Sequence, residues 1–145
     1  MAYISTNYAA NTHAPAGKWT CSPGSELGPF DEVPSGQNTK HPNYCGQCVS
    51  YVRQVCPTLP ATGSWKKGGP VKDNKGIQRG TAIATFDANN KYLGHAAIFV
   101  SQGPEGITVY DQYIYGASPK AVGSRVLRWS GKGDVNDGNS YYVVE

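Results

Sequence analysis

Cys48 and His95 are the two side chains of this sequence best suited to nucleophilic catalysis. A cysteine thiolate attacks an amide carbonyl when a neighbouring imidazole has taken its proton, and the imidazolium then protonates the leaving amine. Asp111 could accept the imidazole N–H, fix its tautomer and support its charge. The backbone N–H of Cys48 is the first candidate for binding the oxyanion, and the Gln47 side chain is a weaker one. Taken singly, each residue also has a structural interpretation, since a lone helical cysteine is more often a core residue or half of a disulfide.

The sequence around Cys48 has the period of a helix. Apolar residues recur three or four positions apart within residues 46–56, and Pro57 ends the pattern. Cys48 falls in the first turn, where free backbone N–H groups and the positive end of the helix dipole favour a thiolate. The element is short and rich in β-branched residues, so tertiary packing must hold it.

A sheet of about five strands is predicted to carry the other two residues. The run 96–100 is almost wholly apolar, which indicates a central strand buried on both faces. If it forms a hairpin with the next strand, paired residue numbers sum to an even constant of about 206 to 208, and His95 lies opposite Asp111 or Tyr113. His95 and Asp111 then project from one face as neighbours. The predicted strands are 81–86, 95–100, 107–113, 125–129 and 141–144.

The first part of the chain has a different composition from the rest. Residues 1–43 are rich in Pro, Gly, Ser, Thr and Asn and lack an apolar period, which predicts a long irregular arm on a core of residues 44–145. Together they would make one catalytic domain of 145 residues. The whole composition, heavy in glycine, proline and tyrosine, favours a loop-rich α+β or β domain over a helical bundle. The residues expected to anchor the arm are Trp19, Leu27, Phe30 and Val33.

Charge and hydropathy exclude several classes of partner. The net charge of +3 comes from scattered basic residues and contains no nucleic-acid-binding tract, although it suits an anionic surface such as a bacterial wall. No apolar run approaches the roughly 20 residues of a membrane span. The first residues lack the features of a secretory signal, which leaves open a removed signal, another export route or an internal location. We expect a monomer.

Three blocks of the sequence resemble a known family. Residues 46–52, Gly-Gln-Cys-Val-Ser-Tyr-Val, resemble the nucleophile helix of the CHAP branch of NlpC/P60 cysteine peptidases. Residues 94–100 are similar to that family's histidine strand, and residues 107–113 to the next strand, which carries its third polar residue. More closely, the order of Cys48, residues 60–65 and residues 80–86 resembles type VI secretion amidase effectors and the secreted antibacterial enzymes that eukaryotes derived from them.

The resemblance implies a papain-like α+β fold with a short nucleophile helix on an antiparallel sheet, and no metal or cofactor. It implies Cys48 as nucleophile, His95 as base and Asp111 as orienting residue, although several CHAP members have Glu-Gln-Asn where residues 111–113 are Asp-Gln-Tyr, so the Asn contribution is absent here. The implied substrate is bacterial peptidoglycan, cut in stem or cross-bridge peptides at a D-Ala to diaminopimelate or Lys bond. Antibacterial wall lysis, secretion or delivery to a target periplasm, and an immunity protein as a further partner are also implied.

Other interpretations of the same residues remain open. Trp65 and Tyr113 are candidates for substrate binding, although ordinary packing would also explain them. A catalytically inactive module could bind wall glycopeptide through an aromatic cleft of Trp65, Tyr113, Tyr115 and Trp129. An acyl transferase would use the same thiol and pass the acyl group to an amine instead of water.

The cysteines outside the motif allow one disulfide. With Cys48 kept as a free thiol, three of the four cysteines remain. Cys45 and Cys56 lie at opposite ends of a helix of about ten residues, roughly 15 Å apart, which is too far for a bridge. We therefore expect Cys21 to pair with either Cys45 or Cys56 and to tie the arm to the core.

Overall fold

The computed structural model describes residues 1–32, 43–116 and 118–145. The elements are β1 Trp19–Thr20, β2 Phe30–Asp31, α1 Cys48–Val55, β3 Lys67–Pro70, β4 Ala82–Phe86, β5 Tyr92–Gly103, β6 Gly106–Tyr113, β7 Lys120–Arg128 and β8 Tyr142–Val144. Within the described residues, strands β3 to β8 form a six-stranded antiparallel sheet in the order β3-β8-β4-β5-β6-β7, and β1 pairs separately with β2. With one short α-helix on this sheet, the predicted α+β class is confirmed.

Strand β3 is the one strand of the large sheet that the sequence did not predict. Its sequence Lys-Gly-Gly-Pro has low strand propensity. β3 lies at the edge of the sheet and pairs with β8 alone. In this pairing, Lys67 lies opposite Val144. An edge strand tolerates the missing N–H of Pro70 because one of its sides needs no partner.

Helix α1 packs across β5 and β6, which lie next to each other in the sheet. Tyr51, Val52 and Val55 are buried at this contact, in one cluster with Ala96 and Ile98 of β5. Each fully buried apolar side chain of this size contributes about 1.5–3 kcal/mol, which offsets the low helix propensity of the valines. The predicted central position of β5 is confirmed, since β4 and β6 flank it.

Over its described residues, 1–32 and 43, the arm is largely irregular, as predicted, but its first residues extend the sheet. Ile4 forms an isolated antiparallel bridge with Thr81. The N–H of Ala82 donates to the carbonyl of Tyr3 at 2.9 Å, and the N–H of Ser5 donates to Gly80 at 2.8 Å. The beginning of the arm is therefore fixed against the start of β4.

The anchors of the arm differ in part from those predicted. Trp19 is buried and Phe30 is half-buried. The prediction that Leu27 anchors the arm is wrong, because this residue lies in a turn and is 42% exposed. Val33 lies outside the described residues. Tyr8 does what Leu27 was expected to do, since it is buried with its ring edge-on to Tyr110 at 5.1 Å between centroids. Ala14 is buried in the same cluster.

The expected disulfide forms between Cys21 and Cys45, and Cys56 is left as a buried free thiol. The sequence allowed Cys21 to pair with Cys45 or with Cys56, and the structure has the bond to Cys45, which is nearer to Cys48 in sequence. The Gln54 side chain of α1 also donates to the carbonyl of Cys21, at 3.3 Å. The arm is thus tied directly to the segment that leads into Cys48.

Candidate active site

Cys48 is the first residue of α1 and is half-buried at the wall of a cleft. Gln47 precedes it with extended backbone angles, so the chain turns sharply into the helix. Gly46 has a φ of +89°, and a Cβ at this position would lie 3.0 Å from the Ile114 side chain. A glycine is therefore required here both by the backbone angle and by the close approach of Ile114.

His95 and Asp111 meet through the register of β5 and β6. Ile98 lies opposite Tyr110, which is the even register that the sequence predicted. The pairing shifts by one residue only beyond Phe99, toward the hairpin tip. His95 and Asp111 consequently share a face, with 2.7 Å between Nε2 of the imidazole and Oδ2 of the carboxylate.

The Asp111 carboxylate is fully buried and faces three cationic groups. Besides His95, the Arg125 Nε donates to Oδ2 at 2.8 Å, and the Lys120 ammonium lies 3.1 Å from Oδ1. Burial by itself raises the pKa of this carboxyl, but the hydrogen bond and charge of His95, with the charges of Arg125 and Lys120, lower it to about 2. Asp111 is therefore a permanent anion at neutral pH.

Lys120 acts on the Asp111 carboxylate through its charge and also binds the backbone around it. Its ammonium donates to the carbonyl oxygens of Asp111, Ala121 and Gly123, at 2.9, 3.2 and 2.8 Å. An ammonium has three N–H donors, so these carbonyls use all of them. Lys120 therefore also fixes the backbone at the irregular pairing of β6 and β7.

His95 links this buried anion to the nucleophile. Because Nε2 meets Asp111, the nitrogen left for the cysteine is Nδ1. Burial alone lowers the pKa of His95, but its hydrogen bonds to Asp111 and to the Cys48 sulfur raise it to about 9. Burial likewise raises the pKa of Cys48, yet the hydrogen bond and charge of His95 outweigh this and lower it. Both shifts favour the thiolate and imidazolium over the neutral thiol and imidazole.

Tyr92 is a functional candidate that the sequence did not reveal. Its hydroxyl lies 3.3 Å from the Cys48 sulfur, and its hydrogen bond contributes to the lowered pKa of the thiol. Burial raises the pKa of Tyr92, so the phenol stays protonated and can donate to a thiolate. Tyr92 was missed because β5 begins at that residue, three positions before the predicted start at His95.

Trp65 does not line the cleft, so its position does not support the predicted contact with substrate. The side chain is 3% exposed, its indole N–H donates to the carbonyl of Pro60 at 2.8 Å, and its ring packs against Tyr92 at 4.9 Å. Trp65 therefore supports Tyr92 from the core. The ordinary packing interpretation fits this residue.

Tyr113 and Gln47, the other predicted substrate contacts, both line the cleft. The Tyr113 ring lies edge-on to His95 at 6.0 Å, and the Arg125 guanidinium lies 5.1 Å from its centre. The roles predicted for both residues stay predictions.

Gln112 holds the arm and the nucleophile segment together. Its side-chain oxygen accepts from the Thr20 N–H at 2.7 Å. Its amide group donates to the carbonyls of Thr20 and Gln47, at 2.8 and 2.9 Å. The sequence signal that could have identified it is an amide next to an ionisable residue in a predicted strand. The Gln112 side chain is fully buried, and buried polar groups need partners.

The cleft has a volume of about 860 Å³. The four aromatic residues proposed for a binding module do not form one surface: Tyr113 and Tyr115 line this cleft, Trp65 is buried, and Trp129 lines a separate cavity of about 530 Å³. The cleft residues other than those discussed above include Ser22, Tyr44, Val49, Ser50, Arg53, Ala61, Thr62, Gly94, Gly116, Ser118, Val135 and Asn136.

Comparison with known proteins identifies the family. The family model described as domesticated amidase effector 2 (Dae2) matches residues 31–144. The chain belongs to the Dae2 family. It is 44% identical over 104 residues to a domesticated amidase effector 2 of Ixodes scapularis, across 68% of this chain and 70% of that protein. It is 32% identical over 124 residues to a type VI secretion amidase effector 2 protein of Salmonella typhi, across 75% of this chain and 92% of that protein.

A solved structure supports the same assignment. The structure titled type 6 secretion amidase effector 2 (Tae2) matches with a TM-score of 0.58 and 32% identity, over 68% of this chain and 80% of that one. The resemblance to amidase effectors predicted from the sequence is confirmed. The match to the Dae2 family model spans α1 and the strands of the large sheet and so includes all three predicted catalytic residues.

The described part of the chain has one cluster of possible metal ligands, Cys21, Asp31 and Cys45. The two sulfurs are bonded to each other and are therefore not thiolate ligands. Among the described residues, no helix has the length and hydropathy needed to cross a membrane.

Proposed function

We propose that this chain is a cysteine amidase that hydrolyses peptide bonds in bacterial peptidoglycan. The observation that carries the proposal is the line of contacts from buried Asp111 through His95 to Cys48 at the wall of an open cleft. Its membership of a family named for amidases supports the same reaction class.

The reaction begins with the thiolate of Cys48 and the imidazolium of His95. The sulfur attacks the carbonyl carbon, and the C=O electron pair moves to oxygen. The backbone N–H of Cys48, at the helix start, is a donor for that oxyanion. Collapse breaks the C–N bond while Nδ1 of His95 gives its proton to the leaving amine, which leaves a thioester. Neutral His95 then takes a proton from water, whose oxygen displaces the sulfur to give a carboxylic acid and the resting pair.

Asp111 remains ionised throughout this cycle. Its pKa of about 2 lies far below neutrality, so it holds the imidazole orientation and stabilises the imidazolium without accepting its proton. Arg125 and Lys120 offset the cost of burying the carboxylate.

The proposed targets are the stem or cross-bridge peptides, at a D-Ala to diaminopimelate or Lys bond. The proposed consequence is antibacterial wall lysis by a secreted protein, or by one delivered to a target periplasm. An immunity protein that covers the cleft is a proposed partner. The positive net charge of +3 would favour contact with an anionic wall.

Digestion of purified peptidoglycan tests this proposal. Sacculi of the diaminopimelate and Lys types are incubated with the parent protein and with Cys48→Ala, and released fragments are identified by mass. The proposal predicts new carboxyl and amino ends with the parent only, and incorporation of ¹⁸O from labelled water into the new carboxylate. Amine-dependent products without ¹⁸O would instead identify a transferase, and binding without any fragments would identify an inactive module.

A further inference from the structure

Arg53 gives the cleft a cationic position away from the reacting sulfur. It lies on α1, five residues after Cys48, and lines the cleft together with Val49 and Ser50. At 1.5 Å per residue, five positions correspond to about 7.5 Å along the helix axis. An extended peptide advances about 3.5 Å per residue, so this distance equals roughly two substrate residues.

The Arg53 guanidinium is held from one side. Its Nε–H donates to the carbonyl of Leu59 at 3.2 Å, in the loop that follows the helix. Within residues 1–32, 43–116 and 118–145, its two terminal nitrogens have neither a hydrogen bond nor an ion pair. A guanidinium fixed at Nε and unpaired at both terminal nitrogens is suited to bidentate binding of a carboxylate.

The charge of the cleft favours an anion at this position. Apart from the catalytic pair Cys48 and His95, the described lining residues that carry a charge are Arg53 and Arg125, both cationic, and none is Asp or Glu. Arg125 is already engaged, because its Nε binds Asp111 and a terminal nitrogen donates to Asn136 at 3.1 Å. Arg53 is therefore the lining arginine that remains available to a ligand.

We propose that Arg53 binds a free carboxylate of the substrate, about two residues from the bond that is cut. This inference rests on the proposed function and names the class of peptide that the same cleft selects: an acidic peptide rather than its carboxamide. Loss of one charge-assisted, bidentate contact lowers binding by about 10- to 100-fold. We therefore expect the parent protein to prefer the free acid by that factor.

The experiment uses two soluble peptide fragments of the wall that differ at one group. Both contain the bond identified in the digest, and the acidic residue nearest two positions from it carries either a carboxylate or a carboxamide. Their kcat/KM values are measured for the parent, Arg53→Gln, Arg53→Lys and a control, Arg79→Gln. Arg79 is exposed and outside the cleft, so its substitution removes the same charge elsewhere.

The acid-to-amide ratio within each protein is the decisive readout. We expect a ratio of about 10 to 100 for the parent and for Arg79→Gln, and a ratio near one for Arg53→Gln. The difference between the parent and Arg53→Gln should appear in KM. Arg53→Lys should recover part of the preference because it keeps the charge and loses the planar fork. Loss of the Leu59 contact alone would slow both peptides equally and leave the ratio unchanged.

The two proposals fail in different ways. If the parent cuts both peptides equally, or if Arg53→Gln keeps the parent's preference, the carboxylate site is rejected while the amidase stands. If the parent cuts neither peptide, the proposed amidase is rejected for these substrates. Equilibrium binding of the same two peptides is then measured for Cys48→Ala and for the double variant Cys48→Ala with Arg53→Gln. The carboxylate site requires that Cys48→Ala prefers the acid and that the double variant does not.

Discussion

The two free cysteines lie at opposite ends of one helix and differ in every property that controls reactivity. Cys48 begins α1, lines the cleft, and has a pKa lowered by His95 and Tyr92 against the effect of burial. Cys56 follows the last residue of α1, is 2% exposed, and burial raises the pKa of its thiol to about 11. One residue type thus gives a thiol that ionises more readily at one end of the helix and an inert thiol at the other.

Burial by itself makes a cysteine less reactive, and residues of the sheet reverse this effect at Cys48 alone of the two free cysteines. Both thiols lose water, which disfavours the thiolate in each. At Cys48 the imidazolium of His95 stabilises the thiolate, and Asp111 supports the charge of that imidazolium. No such partner contributes to the pKa of Cys56. The helix start adds free N–H groups at Cys48, whereas the helix end presents carbonyls.

The largest expected effect is that of removing each thiol in turn. Cys48→Ala should reduce peptidoglycan cleavage by about 10⁴-fold or more, because the attacking atom is lost. Cys56→Ala should keep activity within about threefold and lower the free energy of unfolding by about 1 kcal/mol through lost packing. Fragment release and urea unfolding measure the two changes. Equal losses of activity in both variants would remove the distinction between the two cysteines.

Removing the buried carboxylate should make Cys48 resemble an ordinary thiol. Asp111→Asn is expected to lower kcat by about 1,000-fold, since the amide no longer supports the imidazolium. Activity of the parent should fall as pH rises through about 9, where His95 loses its proton. Without the carboxylate this alkaline limb should move to lower pH. Asp73→Asn, at an exposed turn, is the control, and an unchanged alkaline limb in Asp111→Asn would contradict the account.

Acid should weaken the protein through the same carboxylate. The folded pKa of Asp111 is about 2, below the ordinary value near 3.9, so its stabilisation is present above about pH 4 and is lost as pH falls toward 2. The expected loss is about 2 kcal/mol in the free energy of unfolding. Urea unfolding between pH 2 and 6 measures it. If Asp111→Asn shows the same decline as the parent, another group is responsible.

The smallest expected effect is that of the phenol beside the thiolate. Tyr92→Phe should lower kcat/KM by about tenfold and raise the pKa of Cys48, because one hydrogen bond to the sulfur is lost. Tyr115→Phe removes a hydroxyl from a cleft residue that is 63% exposed and should leave both values unchanged. A pH profile of kcat/KM measures both variants. Equal profiles for Tyr92→Phe and the parent would mean that the phenol has no influence on the thiol.

The sequence was sufficient for the parts of the site that depend on local period. The helical spacing located α1, and the hairpin register placed His95 and Asp111 on one face of the sheet. The pairing of Cys21 was limited to two partners by the length of the helix. These inferences succeed because helices and hairpins relate sequence distance to spatial distance directly.

The partners that tune the site depend on tertiary contacts and were not predicted. Lys120 and Arg125 reach Asp111 from the neighbouring strand β7, whose start was predicted five residues too late. Tyr92 meets Cys48 across 44 positions of sequence. Gln112 was noted only as part of a motif, yet it binds the arm and the nucleophile segment. No local sequence pattern specifies these tertiary contacts.

Alkylation with iodoacetamide across pH measures how readily each cysteine ionises, because the thiolate is the reacting species. Modified peptides are identified by mass after brief exposure between pH 5 and 9, so that Cys48 and Cys56 are followed in the same sample. The account predicts rapid modification of Cys48 already at pH 6, none of Cys56 at pH 8, and an ordinary thiol titration for Cys48 in His95→Ala. Modification of Cys48 in the parent that begins only above pH 8 would contradict it.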